Sequence, residues 1–264
     1  RGCSEMIRRN LPKIDVIVLN DFDDDSDEES SFSSSSKATT TTTTTKFGLP
    51  TVMTRNYLSN WILVNTLVRQ KSFPAPQQEH REEGEQGEAD EFVPRVVLVS
   101  SEIHRVSDQR PNFKTLLTKV VRKMTMIEMI KSQSNSKAMM IGFATELQRR
   151  FGSRISMISI CLDSFISSTI GFIFPSHQQQ QHRTGFVQRR IVQSIKRMIS
   201  KTPEQRAERM IEMIRMKVKP GFRFYSSSSS STEGNEINPI EWTLDRIQGR
   251  SLWESTESVL KSFS

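Results

Sequence analysis

Residues 94–101 read PRVVLVSS, and this stretch decides the fold. Val96 to Val99 are apolar on both alternating faces, with Pro94 at the entrance and two serines at the exit. A strand with one wet face alternates apolar and polar residues. A continuous run belongs to a strand covered on both sides, as in a parallel sheet. Two further runs share the pattern: Ile14–Leu19 (IDVIVL), preceded by Pro12, and Ile155–Cys161 (ISMISIC). Phe222–Tyr225 is short enough to serve as a last strand. The segments between them have helical spacing. Thr51–Arg69 places apolar residues at 58, 61, 62, 64, 67 and 68, and Asn112–Lys131 reads as helical and basic. Ser136–Phe151 (SKAMMIGFATELQRRF) is a helix closed by Gly152. Thr202-Pro203-Glu204-Gln205 supplies an N-cap, a first-turn proline and a capping-box glutamine, and Asn238-Pro239-Ile240-Glu241 repeats that logic. Strands alternating with helices predict an α/β fold: a partial doubly wound parallel sheet of Rossmann-like type.

Several tracts cannot contribute to such a core. Residues 21–30 (DFDDDSDEES) hold seven acids and lead into the threonine run Thr39–Thr45; residues 77–91 hold seven more acids. Gln178–Gln181 and Ser226–Ser231 are homopolymers. Low hydrophobicity and dense like charge leave nothing to offset chain entropy, so disordered low-complexity insertions are expected at 21–48, 73–92, 176–183 and 226–237. The pieces between them form one domain spanning 1–264.

The tracts also explain the composition of this chain of 264 residues. Its formal charge of +7 conceals an asymmetry: fourteen of the 30 acids lie in the two acidic tracts beside a single base, Arg81. A body that basic is either compensated by the acidic loops folding back over it, simply solvated, or suited to a protein partner or an anionic surface, and Arg183 to Lys219 carries eleven bases against three acids. No RNP-type aromatic motif, zinc finger or helix-turn-helix signal accompanies them. Cys3 and Cys161 can form neither a disulfide framework nor a four-ligand zinc site, so the expectation is an intracellular, cytoplasmic protein with no metal site. Residues 155–175 lack Lys and Arg, but Asp163 and five serines make a buried strand plus an apolar loop the better reading than a membrane span. The first residue is Arg, and no secretory signal is visible.

Four stretches, in order, resemble the short-chain dehydrogenase/reductase family, with closest similarity to retinol dehydrogenases and the WW-domain-containing oxidoreductase. Lys13–Asn20 (KIDVIVLN) resembles the family's fourth strand, and Asn56–Val68 (NYLSNWILVNTLV) the helix that follows. Arg95–Arg105 (RVVLVSSEIHR) is similar to the fifth strand, and Ser136–Phe151 to the helix that carries the catalytic lysine. Thr202–Glu212 and Leu252–Leu260 resemble the C-terminal helices. The resemblance implies NAD(P)(H) as cofactor and a lipophilic alcohol or carbonyl, of retinoid or steroid type, as ancestral substrate. It makes Ser101 the catalytic serine, Lys137 the lysine that also holds the cofactor ribose, and Asn56 the asparagine of the water relay. Asn20 and Ser167 take cofactor-side positions.

The chain departs from the family where it matters most. The acid/base tyrosine four residues before the lysine is replaced by Gln133, and an amide has no proton to exchange near neutral pH. The only tyrosines, Tyr57 and Tyr225, fall on other elements. After Asn20 the family's Ala-Gly is Asp21-Phe22, and its later Pro-Gly pair is Leu162-Asp163. The glycine-rich phosphate turn is expected either upstream of Arg1 or lost. Three readings result: a catalytically impaired relative acting as a non-catalytic interaction protein, an active NAD(P)-dependent oxidoreductase, and a basic polyanion binder. The first is favoured. His104 reads as a solvated or satisfied side chain beside Arg105.

Overall fold

The three apolar runs do pair side by side. The computed structural model describes residues 14–19, 40–41, 45, 48–73, 93–119, 123–124, 126–162, 203–216, 221–226 and 235–263. Strand β1 is Val16–Leu19, β3 is Arg95–Ser101, β5 is Ser156–Leu162, and β6 is Phe222–Ser226. These four run parallel in the order β1-β3-β5-β6, and a two-residue strand β7 (Asn235–Glu236) closes that edge antiparallel to β6. β3 lies between β1 and β5, with Val97 opposite Val18 on one side and Ile158 on the other. A partial doubly wound, Rossmann-like sheet is what the apolar pattern implied.

Helices cover both faces. On one face lie α1 (Thr51–Met53), a π-helical turn (Thr54–Leu58), α2 (Ser59–Arg69), α3 (Phe113–Thr118), α4 (Met126–Phe151) and α6 (Arg246–Lys261). On the other, α5 (Pro203–Arg215) lays Met210, Met213 and Ile214 over Val97, Ile158 and Ile160. Strand alternation sorts the residues: Val96 and Leu98 face the α4 layer, and Val97 faces α5. Phe143 of α4 anchors the larger core, with ring centroids 5.9 Å from Trp253, 6.2 Å from Trp61 and 6.4 Å from Tyr57. Where α4 ends beside α6, Glu146 is buried and receives Arg149 and Arg150, and Arg150 also covers the Trp253 ring at 4.3 Å.

Several expectations require correction. The helix read over Asn112–Lys131 breaks after Thr118; a two-residue strand β4 (Lys123–Met124) follows, and α4 starts at Met126. β4 pairs antiparallel with Thr40–Thr41 (β2), so the threonine run read as part of an insertion holds a strand, and Ser226 with β7 does the same at 226–237. The proline-led cap at Asn238 opens no α-helix. The chain makes a single 3-10 turn at Glu241–Thr243, and Asp245 caps α6 by accepting from Gln248 N at 2.8 Å. β1 is less covered than its apolar run implies: Val16 and Val18 are 38% and 40% exposed, and β1 is the edge of the sheet among the described residues. Thr202, Asp163 and the glutamine tract lie outside the described residues.

Candidate functional site

The carboxyl ends of β1 and β3 meet α4 and the π-helical turn at a small cleft. Its polar lining is Asn56, Asn60, Ser100 and Lys137; Leu19, Leu98, Met140 and Ile141 make the apolar wall. In open α/β sheets ligands bind outside the carboxyl ends of the strands, so position alone makes this the candidate site.

Each polar residue is placed by a local feature. Asn56 is buried in the π-helical turn, a widening of the helix that re-aims side chains. The loosened carbonyls of that turn are satisfied by side chains one turn on: Asn60 Nδ2 donates to Asn56 O at 3.1 Å, and Ser59 Oγ to Arg55 O at 2.5 Å. Asn56 Nδ2 donates to Ser136 Oγ at 3.4 Å, and Ser136 Oγ donates to Gln133 O at 2.8 Å. Asn56 is thereby tied to the residue beside Lys137. Lys137 is half-buried on α4, and Ile141 lies one turn further along on the same face. Ser100 ends the buried face of β3, in phase with Val96 and Leu98. Its hydroxyl has no hydrogen-bond partner among the described residues.

Two residues singled out by sequence therefore converge, Asn56 and Lys137. Gln133 lies one turn before Lys137 on α4. Ser101 does not line the cleft: it continues the extended backbone of β3, so its side chain alternates to the opposite face, and the serine facing Lys137's helix is Ser100. Counting alternation from Val96 separates the two serines; the motif alone does not. Asn20 and Ser167 lie outside the described residues.

Neither tyrosine reaches the cleft. Tyr57 follows Asn56 in the π-helical turn but is fully buried against Phe143, and its hydroxyl shares a 2.8 Å bond with Thr256 on α6. Burial drives its phenol far above the ordinary range, only partly offset by the Thr256 bond. Tyr225 packs with Val97 and Ile158 on the α5 face. The cleft can hold a polar group between a cation and a serine hydroxyl. Among the described residues its lining includes no His, Tyr or carboxylate to move a proton.

A second polar cluster surrounds His104, read from sequence as solvated or satisfied. The residue sits in the 3-10 turn Glu102–Val106 and is buried, so of those two alternatives the solvated one falls. Its Nδ1 lies 2.7 Å from Ser101 O, and because a carbonyl only accepts, Nδ1 carries the proton. Burial lowers its tendency to protonate, as does Arg105, with Ser101 O and Glu102 opposing. Burial alone would raise the Glu102 carboxyl, yet hydrogen bonds from Arg105 and Cys161 together with the Arg105 charge hold it below the usual range. No group of three or more metal-ligating side chains occurs among the described residues, and none of their helices is long and apolar enough to cross a membrane.

Fold and cleft together define a Rossmann-like α/β protein. No family model matches the sequence, and no curated protein matches it. Among solved structures, the chain is similar to an uncharacterized protein from Mycobacterium Paratuberculosis, with a TM-score of 0.50 and 16% identity. The match covers 98% of this chain and 72% of the other.

Proposed function

We propose that this chain is a divergent short-chain dehydrogenase/reductase-like protein that has kept the site's asparagine and lysine but acts without catalysis, as an interaction protein. The observation that carries the reading is the cleft itself. Asn56 and Lys137, distant in sequence, stand at one strand end with Gln133 one turn before the lysine. A phenol at that position would give and take the substrate's proton; the glutamine amide has no titrating proton near neutral pH. Tyr57 cannot substitute, because its hydroxyl is sealed in the core against Thr256.

The described residues fit a dinucleotide in part. By the resemblance, Lys137 and Asn56 would face the nicotinamide riboside end of a bound NAD(P)(H), which would supply hydride transfer there. Lys137 would hold a ribose hydroxyl, and Ser100 would donate a hydrogen bond from β3. No turn with more than one glycine joins a strand to a helix among the described residues, so the element that cradles pyrophosphate is not among them. The resemblance points to an ancestral retinoid or steroid oxidoreduction. The test is cofactor-dependent turnover by the full chain of retinal and steroid carbonyls, with NADH and NADPH each supplied. Rates equal to the protein-free blank are expected; saturable turnover refutes the reading.

A further inference from the structure

We propose that the 3-10 turn Glu102–Val106 is an acid-released latch on the wall of the cleft, with His104 as its trigger. The turn leaves β3 two residues after Ser100 and fastens α4, β5 and the segment at Asn238. Ser134 Oγ of α4 donates to Ile103 O at 2.7 Å, and Cys161 Sγ of β5 donates to Glu102 Oε1 at 3.2 Å. Arg105 pairs with Glu102 and donates through Nη2 to Asn238 O at 3.1 Å. Just beyond, Asp108 and Asn135 exchange two bonds, Asp108 N to Asn135 Oδ1 and Asn135 Nδ2 to Asp108 Oδ2, each 2.9 Å. These ties hold the part of α4 that immediately precedes Lys137, so the turn positions the cleft's cation.

His104 is the pin of this arrangement. Its neutral ring donates from Nδ1 to Ser101 O and stands edge-on to Phe224 of β6, with centroids 5.3 Å apart. Its Nε2 is buried without a hydrogen-bond partner among the described residues. Protonation places a second N–H there with no acceptor among the described residues, and a charge against an aromatic wall. The charges acting on the ring are Glu102 and Arg105, both from its own turn. β6 offers the Phe224 ring, β5 offers Cys161 already bound to Glu102, and α4 offers the Ser134 hydroxyl already bound to Ile103 O. Glu102 is engaged by Arg105, and Arg105 repels a second cation. A charged His104 is thus better solvated outside than inside, and the turn opens to release it. This depends on where the cleft lies, and not on whether the cleft catalyses anything.

Hydrogen exchange on the full chain, corrected for the intrinsic pH dependence of amide exchange, tests the latch. Between pH 7.5 and 5, protection over residues 102–108 is expected to fall about tenfold more than protection over β5. In His104→Gln, which keeps a donor for Ser101 O and does not titrate in this range, the excess loss disappears. An equal excess loss in His104→Gln overturns the proposal, as does uniform loss across the parent. If His104→Gln fails to fold, the imidazole titration of His104 in the parent, followed by NMR, replaces it. The protection loss must then lie between the ordinary imidazole range and the titration midpoint of His104, and a loss wholly outside that window overturns the latch.

Discussion

Valine in place of Thr256 keeps the side chain's shape but leaves the Tyr57 hydroxyl buried with nothing to bond. That hydroxyl's bond to Thr256 Oγ1 is 2.8 Å, and Thr256 in turn donates to Leu252 O at 2.8 Å. The direction follows: Thr256 gives its proton to the helix carbonyl, so Tyr57 donates to Thr256. Removing the acceptor strands a buried donor, which costs about 1–3 kcal/mol. Removing the donor instead, with Tyr57→Phe, leaves Thr256 still bonded to Leu252 O and costs about 1 kcal/mol. The double variant has no stranded group, so its cost should match Tyr57→Phe alone to within about 0.5 kcal/mol. Urea denaturation of the four proteins, followed by tryptophan fluorescence, reads all three values. Thr256→Val cheaper than Tyr57→Phe, or single costs that simply add, would refute the claim that Tyr57 is a sealed structural hydroxyl.

Three other perturbations have defined outcomes. Glu146→Ala removes a carboxylate 8% exposed that receives Arg149 and Arg150, themselves 31% and 36% exposed; discounting for solvent at the arginines, stability in urea should fall by about 2 kcal/mol. Gly142→Ala gains about 1 kcal/mol of helix propensity. Its new Cβ would stand 3.1 Å from the Trp242 ring and 3.2 Å from Leu252, both buried, so net destabilisation by about 1 kcal/mol is expected in the same assay. His104 has a folded pKa below its unfolded value, so its contribution is fully present above about pH 6.5 and is lost as pH falls toward the folded value. Denaturation midpoints should therefore decline over that acid range in the parent and decline less in His104→Gln.

The sheet was legible because its signal is strong and local. PRVVLVSS, IDVIVL and ISMISIC are continuous apolar runs of the kind parallel strands carry, and all three became neighbours. What misled was context that no window contains. Asn112–Lys131 has helical spacing throughout, yet a pairing with Thr40–Thr41, some eighty residues earlier, converts Lys123–Met124 into a strand. Val16 and Val18 read as core because a run of apolar residues does not announce which strand will stand at the edge. At the cleft, Asn56 and Lys137 were found by motif order, whereas Ser100 required strand phase. The π-helical turn that aims Asn56 left no mark in composition. His104 beside Arg105 read as either solvated or satisfied, and the 3-10 turn decides between them by pointing neighbouring side chains in different directions, sending one inward and the other out.

The most direct test of the central claim compares cofactor oxidation by three full-length proteins: the parent, Lys137→Ala and Gln133→Tyr. Saturating NADPH or NADH and a retinal or steroid carbonyl would be supplied. The account predicts that the parent and Lys137→Ala are indistinguishable from the protein-free blank. Saturable turnover by the parent that Lys137→Ala abolishes would contradict it, because the cleft would then be catalysing with glutamine at position 133.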